Sequence, residues 1–213
     1  MFGTESFLVA GIDTGYQLGF VVFETFVNLN EIKSLNVFLK LSKKKTLKPS
    51  EAKTLLDILL RKNLLKFVPY HWSFHYFDPQ ERGKIADYVV KIIKRCERLS
   101  AKKINVFIED FLFFSKTSSK KASWFTVTKI QNTIGFLVGY FYARKIETKL
   151  VRPRTWKSIV DTYYIDISSH LFPSAFKKEM QESHILSAVG IALSGIPELV
   201  FNCLKQKCIK NEK

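Results

Sequence analysis

Cysteine is scarce and poorly spaced for chemistry. Cys96, Cys203 and Cys208 are the three cysteines, and neither a zinc-site nor a redox-motif spacing relates them, so they read as reduced thiols without a catalytic role. Acidic residues are few as well: 19 Asp and Glu stand against 34 Lys and Arg, a formal net charge of +15. That imbalance predicts attraction to a polyanion, nucleic acid first, with an anionic membrane surface as the competing target. Long hydrophobic runs are missing. IGFLVGYFYA is shorter than the roughly 18 residues of a spanning helix, and the run from Ile185 is interrupted by Ser and by Pro197. No basic n-region of a secretory signal opens the chain, and no internal repeat is visible. These absences lead to the expectation of a soluble intracellular protein that does not span a membrane.

What is present describes a folded domain. Hydrophobic residues make up 46% and aromatics 14%, with 19 Phe, so a Phe-rich core is expected. A length of 213 residues suits one domain, 1–213. The stretch around which the rest is organised is LVAGIDTGYQLGFVVFE. Leu8, Val9, Ala10 and Ile12 read as a buried strand, Gly15 and Gly19 permit a reversal, and Phe20 to Phe23 read as a second strand. Asp13 therefore sits at a strand end beside a hairpin. Asp-Thr-Gly is also ordinary turn chemistry, and on this segment alone the two readings weigh about equally.

Further along, Val27 to Leu41 reads as a third strand region, clearest in NVFLKL. A basic linker leads to an amphipathic helix with Ser50 as N-cap and Leu55, Leu56, Leu59 and Leu60 as its core stripe. FVPYHWSFHYFDP is dense in aromatics. Its His71 and His75 have a spacing that would suit a metal on a helix, but Pro69 and Pro79 argue against a regular helix, so ordinary packing is the expectation. Residues Gln80 to Leu99 form a surface helix over a sheet, with Ile85, Val89, Ile92 and Ile93 on one face. KINVFIEDF then supplies a strand ending in Glu109 and Asp110, which point to opposite faces.

The loop FLFFSKTSSKKAS mixes Phe113 and Phe114 with hydroxyls and with Lys116, Lys120 and Lys121. That mixture suits phosphate contact and base stacking, against the alternative of a solvated loop. Trp124 to Arg144 is a long apolar helix whose Gly135 and Gly139 permit close approach of another backbone. KIETKLVRP is a short strand, with Arg154, Trp156 and Lys157 at the junction to a helix. A final helix, from about Phe176 to Ser194, carries Glu179, Glu182 and His184, and the basic tail from Leu204 is expected to fray. The alternation of strands and helices gives an α/β fold with a mixed sheet.

Taken together, GIDTG, IED, VRPRTWK and ESHILSAVGIAL resemble, in this order, the RuvC-type Holliday-junction resolvases of the ribonuclease H-like superfamily. The resemblance implies a mixed five-stranded sheet flanked by helices, with an inserted helical and aromatic segment enlarging the domain at about 30–80. It implies that Asp13 and Glu109 lie together at adjacent strand ends, which is the reason to prefer Glu109 to Asp110. It also implies two ligands three apart on the last helix. His184 matches the first, and Ser187 stands where an acid is expected. Glu182 precedes Ser187 by five residues and points about 140° away on a helix; Glu179 lies about two turns off, so neither repairs the gap.

The implied chemistry is phosphodiester hydrolysis assisted by Mg²⁺, with Mn²⁺ as an alternative. Asp13, Glu109, His184 and Ser187 are the expected metal-site residues, and Asp13, Glu109 and His184 the catalytic ones. Lys120, Lys121, Arg154 and Lys157 join the loop residues as expected DNA contacts. The expectation is thus a homodimeric endonuclease that cuts four-way or other branched DNA junctions. The alternative is a junction-binding protein with weak or no cleavage, because Ser187 lacks the charge that a hard cation prefers.

Overall fold

Apolar residues on both faces of a strand put it in the middle of a sheet, and the GIDTG strand takes that place. A computed structural model describes residues 3–15, 17–33, 44–76, 79–110, 124–153, 157, 166–174 and 179–211. Strand β1, Thr4–Thr14, pairs antiparallel with β2, Gln17–Asn28, in a hairpin whose register sets Asp13 opposite Gly19. Strand β3, Leu65–Tyr76, pairs antiparallel with β2. On the other side of β1, β4, Ile104–Glu109, and β5, Thr148–Val151, continue the sheet in parallel. The order is β3-β2-β1-β4-β5, the mixed five-stranded sheet expected from the sequence.

Among the described residues, four long helices cover the two faces. Helices α2, Arg82–Ser100, and α3, Trp124–Ala143, lie on one side. There Ile85, Val89, Ile93, Leu137 and Phe141 meet Leu8, Ala10, Ile12, Phe20 and Ile108. Helices α1, Pro49–Arg61, and α4, Glu179–Asn211, lie on the other. There Leu55, Leu59, Ile185, Ala188, Ala192 and Ile196 meet Val9, Val21, Phe23 and Phe107. Helix α4 lies so close that a Cβ at Gly11 would sit 1.8 Å from the carbonyl oxygen of Ala188. Gly195 gives the matching relief on the helix, since a Cβ there would fall 2.0 Å from the Phe107 ring. Both glycines serve backbone approach.

Away from the hairpin turn, Glu24 is 5% exposed and joins several elements. Ser6 and Lys102 donate to its Oε1 at 2.6 and 2.8 Å, and the Tyr70 hydroxyl donates to Oε2 at 3.1 Å. Burial alone would raise this carboxyl, but Lys102, Ser6 and Tyr70 outweigh it and hold the group below its ordinary value.

Several expectations are corrected. Of the third strand region expected at 27–41, Val27 and Asn28 finish β2 and Leu29–Lys33 is a short helical turn, while NVFLKL lies outside the described residues. The strand beside β2 is instead the aromatic segment 65–76. Pro69 is tolerated because β3 is an edge strand and the register slips beside it, with His71 opposite Val22 and Pro69 opposite Phe23. On a strand, His71 and His75 share a face four residues apart, and among the described residues no third His, Cys, Asp or Glu joins them to hold a metal. Both pack on Tyr88, whose hydroxyl is 3.3 Å from His71 Nε2. Burial, reinforced by His75 and Arg95, lowers His71 to about 4.

Lys48, not Ser50, caps α1, with Pro49 in its first turn and the Lys48 N–H donating to Glu51 Oε2 at 2.9 Å. The last helix does not end near Ser194. It runs through Pro197 to Asn211 because Val200, Phe201 and Leu204 are buried against the rest of the core. The basic tail is tied down where fraying was expected: Lys205 Nζ donates to the carbonyls of Lys44 and Lys45, and Lys207 pairs with Glu5. The continuous helix from His184 to Lys207 is long and apolar enough to cross a membrane, yet 72% of its most apolar window is buried inside the fold. Cys96 and Cys203 are free thiols, and burial pushes Cys96 up to about 11.

Candidate active site

The parallel ladder between β1 and β4 ends at Ile12 opposite Ile108, so the next residue of each strand is a carboxylate, Asp13 and Glu109. Side chains alternate along strands. Ile12 and Ile108 belong to the core under α2 and α3, whereas Val9 and Phe107 belong to the core under α4. Asp13 and Glu109 therefore face α4 together, and Asp110 is set to the other side. Its N–H donates to the Val151 carbonyl at 2.8 Å, which keeps the strand geometry through this residue. Asp13 is 6% exposed and Glu109 7%.

Helix α4 brings His184 onto Asp13. His184 Nδ1 lies 2.8 Å from Asp13 Oδ2, and the Gly15 N–H donates to Oδ1 at 3.3 Å. Two glycines make the approach possible. A Cβ at Gly19 would sit 2.3 Å from the His184 carbonyl oxygen, and one at Gly15 would lie 2.9 Å from His184 Cε1. On its other side the imidazole meets the Phe74 ring at 5.8 Å between centroids, and Phe74 in turn meets Tyr76 at 5.6 Å. Ser187 follows one turn after His184 and is half-buried.

Of the residues singled out in the sequence, the fold thus gathers Asp13, Glu109 and His184 at one end of the sheet. Lys157 is exposed. Phe113, Phe114, Lys116, Lys120, Lys121 and Arg154 lie outside the described residues. Phe74 was missed. Its signal was the period-two row Trp72, Phe74, Tyr76, which Pro69 disguised.

This geometry accompanies likeness to solved structures. Thermus thermophilus RuvC superposes with a TM-score of 0.50 at 15% identity, covering 92% of this chain and 97% of that one. The chain has a RuvC-type fold. Thermus thermophilus RuvC in complex with a Holliday junction substrate gives 0.49 at 14% identity, over 90% of this chain and 93% of that one. The yeast mitochondrial Holliday junction resolvase gives 0.43 at 12% identity, over 95% and 83%. No protein-family model and no curated protein sequence matches the chain.

The RuvC-type fold raises the question of a divalent cation, and the donors fit one in a limited way. Mg²⁺ takes one or two protein carboxylates and completes its octahedron with water and substrate phosphate. Asp13 and Glu109, side by side at adjacent strand ends, are donors of that kind. An all-protein cage does not fit: among the described residues, no three His, Cys, Asp or Glu side chains are grouped to hold a metal, and one Asp13 oxygen already meets His184.

Proposed function

We propose that this protein is a metal-dependent endonuclease that cuts four-way or other branched DNA junctions and acts as a homodimer. The observation that carries the reading is the buried pair of strand-end carboxylates, Asp13 and Glu109, with His184 of α4 hydrogen-bonded to Asp13. The RuvC-type fold and the +15 charge support the choice of DNA as substrate.

Asp13 and Glu109 would hold Mg²⁺. When bound, the ion supplies positive charge against the negative charge that develops on the scissile phosphate. The chain's own part is positioning and proton transfer. With the Nδ1 proton donated to Asp13, His184 keeps a lone pair on Nε2, and from there it accepts a proton from the attacking water. Phe74 and Gly15 limit the ring's freedom on two sides, which keeps that nitrogen aimed. Paired cuts need two sites, hence the homodimer. Helix α3 supports it, because among the described residues no atom lies within 4 Å of a Cβ added at Gly135 or Gly139, and Tyr142 is 83% exposed. Light scattering at micromolar concentration is expected to give twice the chain mass; a monomer both free and on DNA would refute the dimer.

A second reading is favoured by one feature. Ser187 offers no charge where a further acid would complete the site, so the protein would bind junctions and cut them weakly or not at all. A labelled four-way junction and a linear duplex of equal length, run with Mg²⁺, with Mn²⁺ and with chelator, separate the readings. The nuclease predicts preferential junction binding in chelator, steeply weakened by salt, and cutting only with metal. Binding without cutting selects the second reading, and equal affinity for both DNAs removes both.

A further inference from the structure

Beyond the carboxylates, the same end of the sheet opens into a groove of about 630 Å³. It lies between edge strand β5, the second half of α4 and the segment that leads into α1, with Phe107 and Gly195 in its lining. Three exposed cations line it: Lys45, Lys149 and Arg152. One anion, Glu198, lines it too and is paired with Lys149 at 2.8 Å. Lys45 and Arg152 have no ion pair among the described residues. The Lys45 segment is held against α4, since Lys205 Nζ donates to the carbonyls of Lys44 and Lys45 at 3.2 and 3.3 Å.

Position ties the groove to the site. Glu109 pairs with Val151 in the β4–β5 ladder, Val151 lines the groove, and Arg152 is the next residue. A polyanion lying on the carboxylate end is thus led past Arg152 toward Lys45. We infer that this groove carries the phosphodiester backbone of one arm of the DNA substrate, with Lys45 and Arg152 as phosphate contacts. The inference rests on the reading above for the identity of the DNA. Its own content is the path, which leaves the site over β5 and runs along α4.

The path is tested by charge reversal at matched net charge. Lys45→Glu with Arg152→Glu is compared with Lys66→Glu and Lys91→Glu, two exposed lysines on β3 and α2 outside the groove. Binding of a labelled junction is measured in chelator across a salt series. Losing two phosphate contacts lowers the slope of log affinity against log salt by about 1.8, and the groove pair is expected to show that fall while the control pair keeps the wild-type slope. Equal weakening by both pairs would show that only net charge matters, and no change in either would show that DNA does not use the groove; each overturns the inference. If the reversed pair fails to fold by circular dichroism, Lys45→Gln with Arg152→Gln gives the same test through loss of charge alone. A wild-type affinity that is equal for junction and linear duplex, with the groove pair still losing slope, would sink the junction reading while leaving the path intact.

Discussion

Asp13→Asn is expected to abolish cutting of a branched junction while leaving its binding intact. Asn matches Asp in shape but has a single acceptor oxygen: if that oxygen keeps the Gly15 N–H, the NH2 group faces His184 Nδ1 and turns the ring to its Nε2–H tautomer, so the variant can fold while the lone pair on Nε2 is lost. What disappears is a buried negative charge, and with it the means of holding a cation and of stabilising His184 as it takes a proton. If that charge contributes about 4 kcal/mol to the transition state, the rate falls about 10³-fold. Glu109→Gln removes the neighbouring charge and should do the same. Asp110→Asn should stay within about threefold, below roughly 0.7 kcal/mol, because its side chain leaves β4 on the other face. Single-turnover cleavage with Mg²⁺, beside gel-shift affinity in chelator, measures both quantities. Full activity in Asp13→Asn or Glu109→Gln would place the chemistry elsewhere.

The parts of this fold that could be read in the sequence are those where a local pattern and its tertiary setting agree. GIDTG followed by GFVVF marks a hairpin through its apolar run and its glycines, and the strand Ile104–Glu109 follows an amphipathic helix as a crossover requires. Glu109 over Asp110 followed from resemblance, and alternation along β4 now gives it a structural reason. Where tertiary packing overrides a local signal, the sequence misleads. Pro69 reads as a breaker, but a proline on an edge strand beside a register slip forfeits little, so the aromatic segment becomes β3. Pro197 and the lysines after Leu204 read as the end of a helix. Burial of Val200, Phe201 and Leu204 carries α4 past the proline, and ties from Lys205 and Lys207 hold its last turns.

The contacts that shape the candidate site are of a kind no pattern reveals. Gly11, Gly15 and Gly19 look like turn residues, yet Gly11 and Gly19 face the backbone of α4 and Gly15 faces the His184 ring. The bond from His184 to Asp13 spans 171 positions, and its length depends on how deeply α4 can settle on those glycines. Phe74 touches His184 from a strand whose existence local rules denied. The order of motifs therefore pointed to the candidate residues, and close backbone packing supplies the geometry that brings His184 to Asp13.

Ser187→Asp is expected to increase Mg²⁺-dependent cutting. Ser187 stands three residues after His184 on α4, the offset at which two helical residues share a face, and a serine hydroxyl brings no charge to a hard cation. With Asp13 bonded to His184 and no three-ligand group among the described residues, the site is expected to bind Mg²⁺ weakly and the wild type to cut slowly. A carboxylate at 187 that adds about 1.4 kcal/mol of transition-state stabilisation raises the rate about tenfold. Mn²⁺ accepts nitrogen donors more readily than Mg²⁺ does, so it should rescue the wild type in part and favour the variant less. The ratio of rates in the two metals is thus the diagnostic quantity, and it should move toward Mg²⁺ in Ser187→Asp. The change adds a charge at a half-buried position, so thermal unfolding and junction affinity are measured alongside. If both hold and the Mg²⁺ rate is unchanged or lower, the missing acid does not limit this site, and either another residue completes it or the protein binds junctions without cutting them.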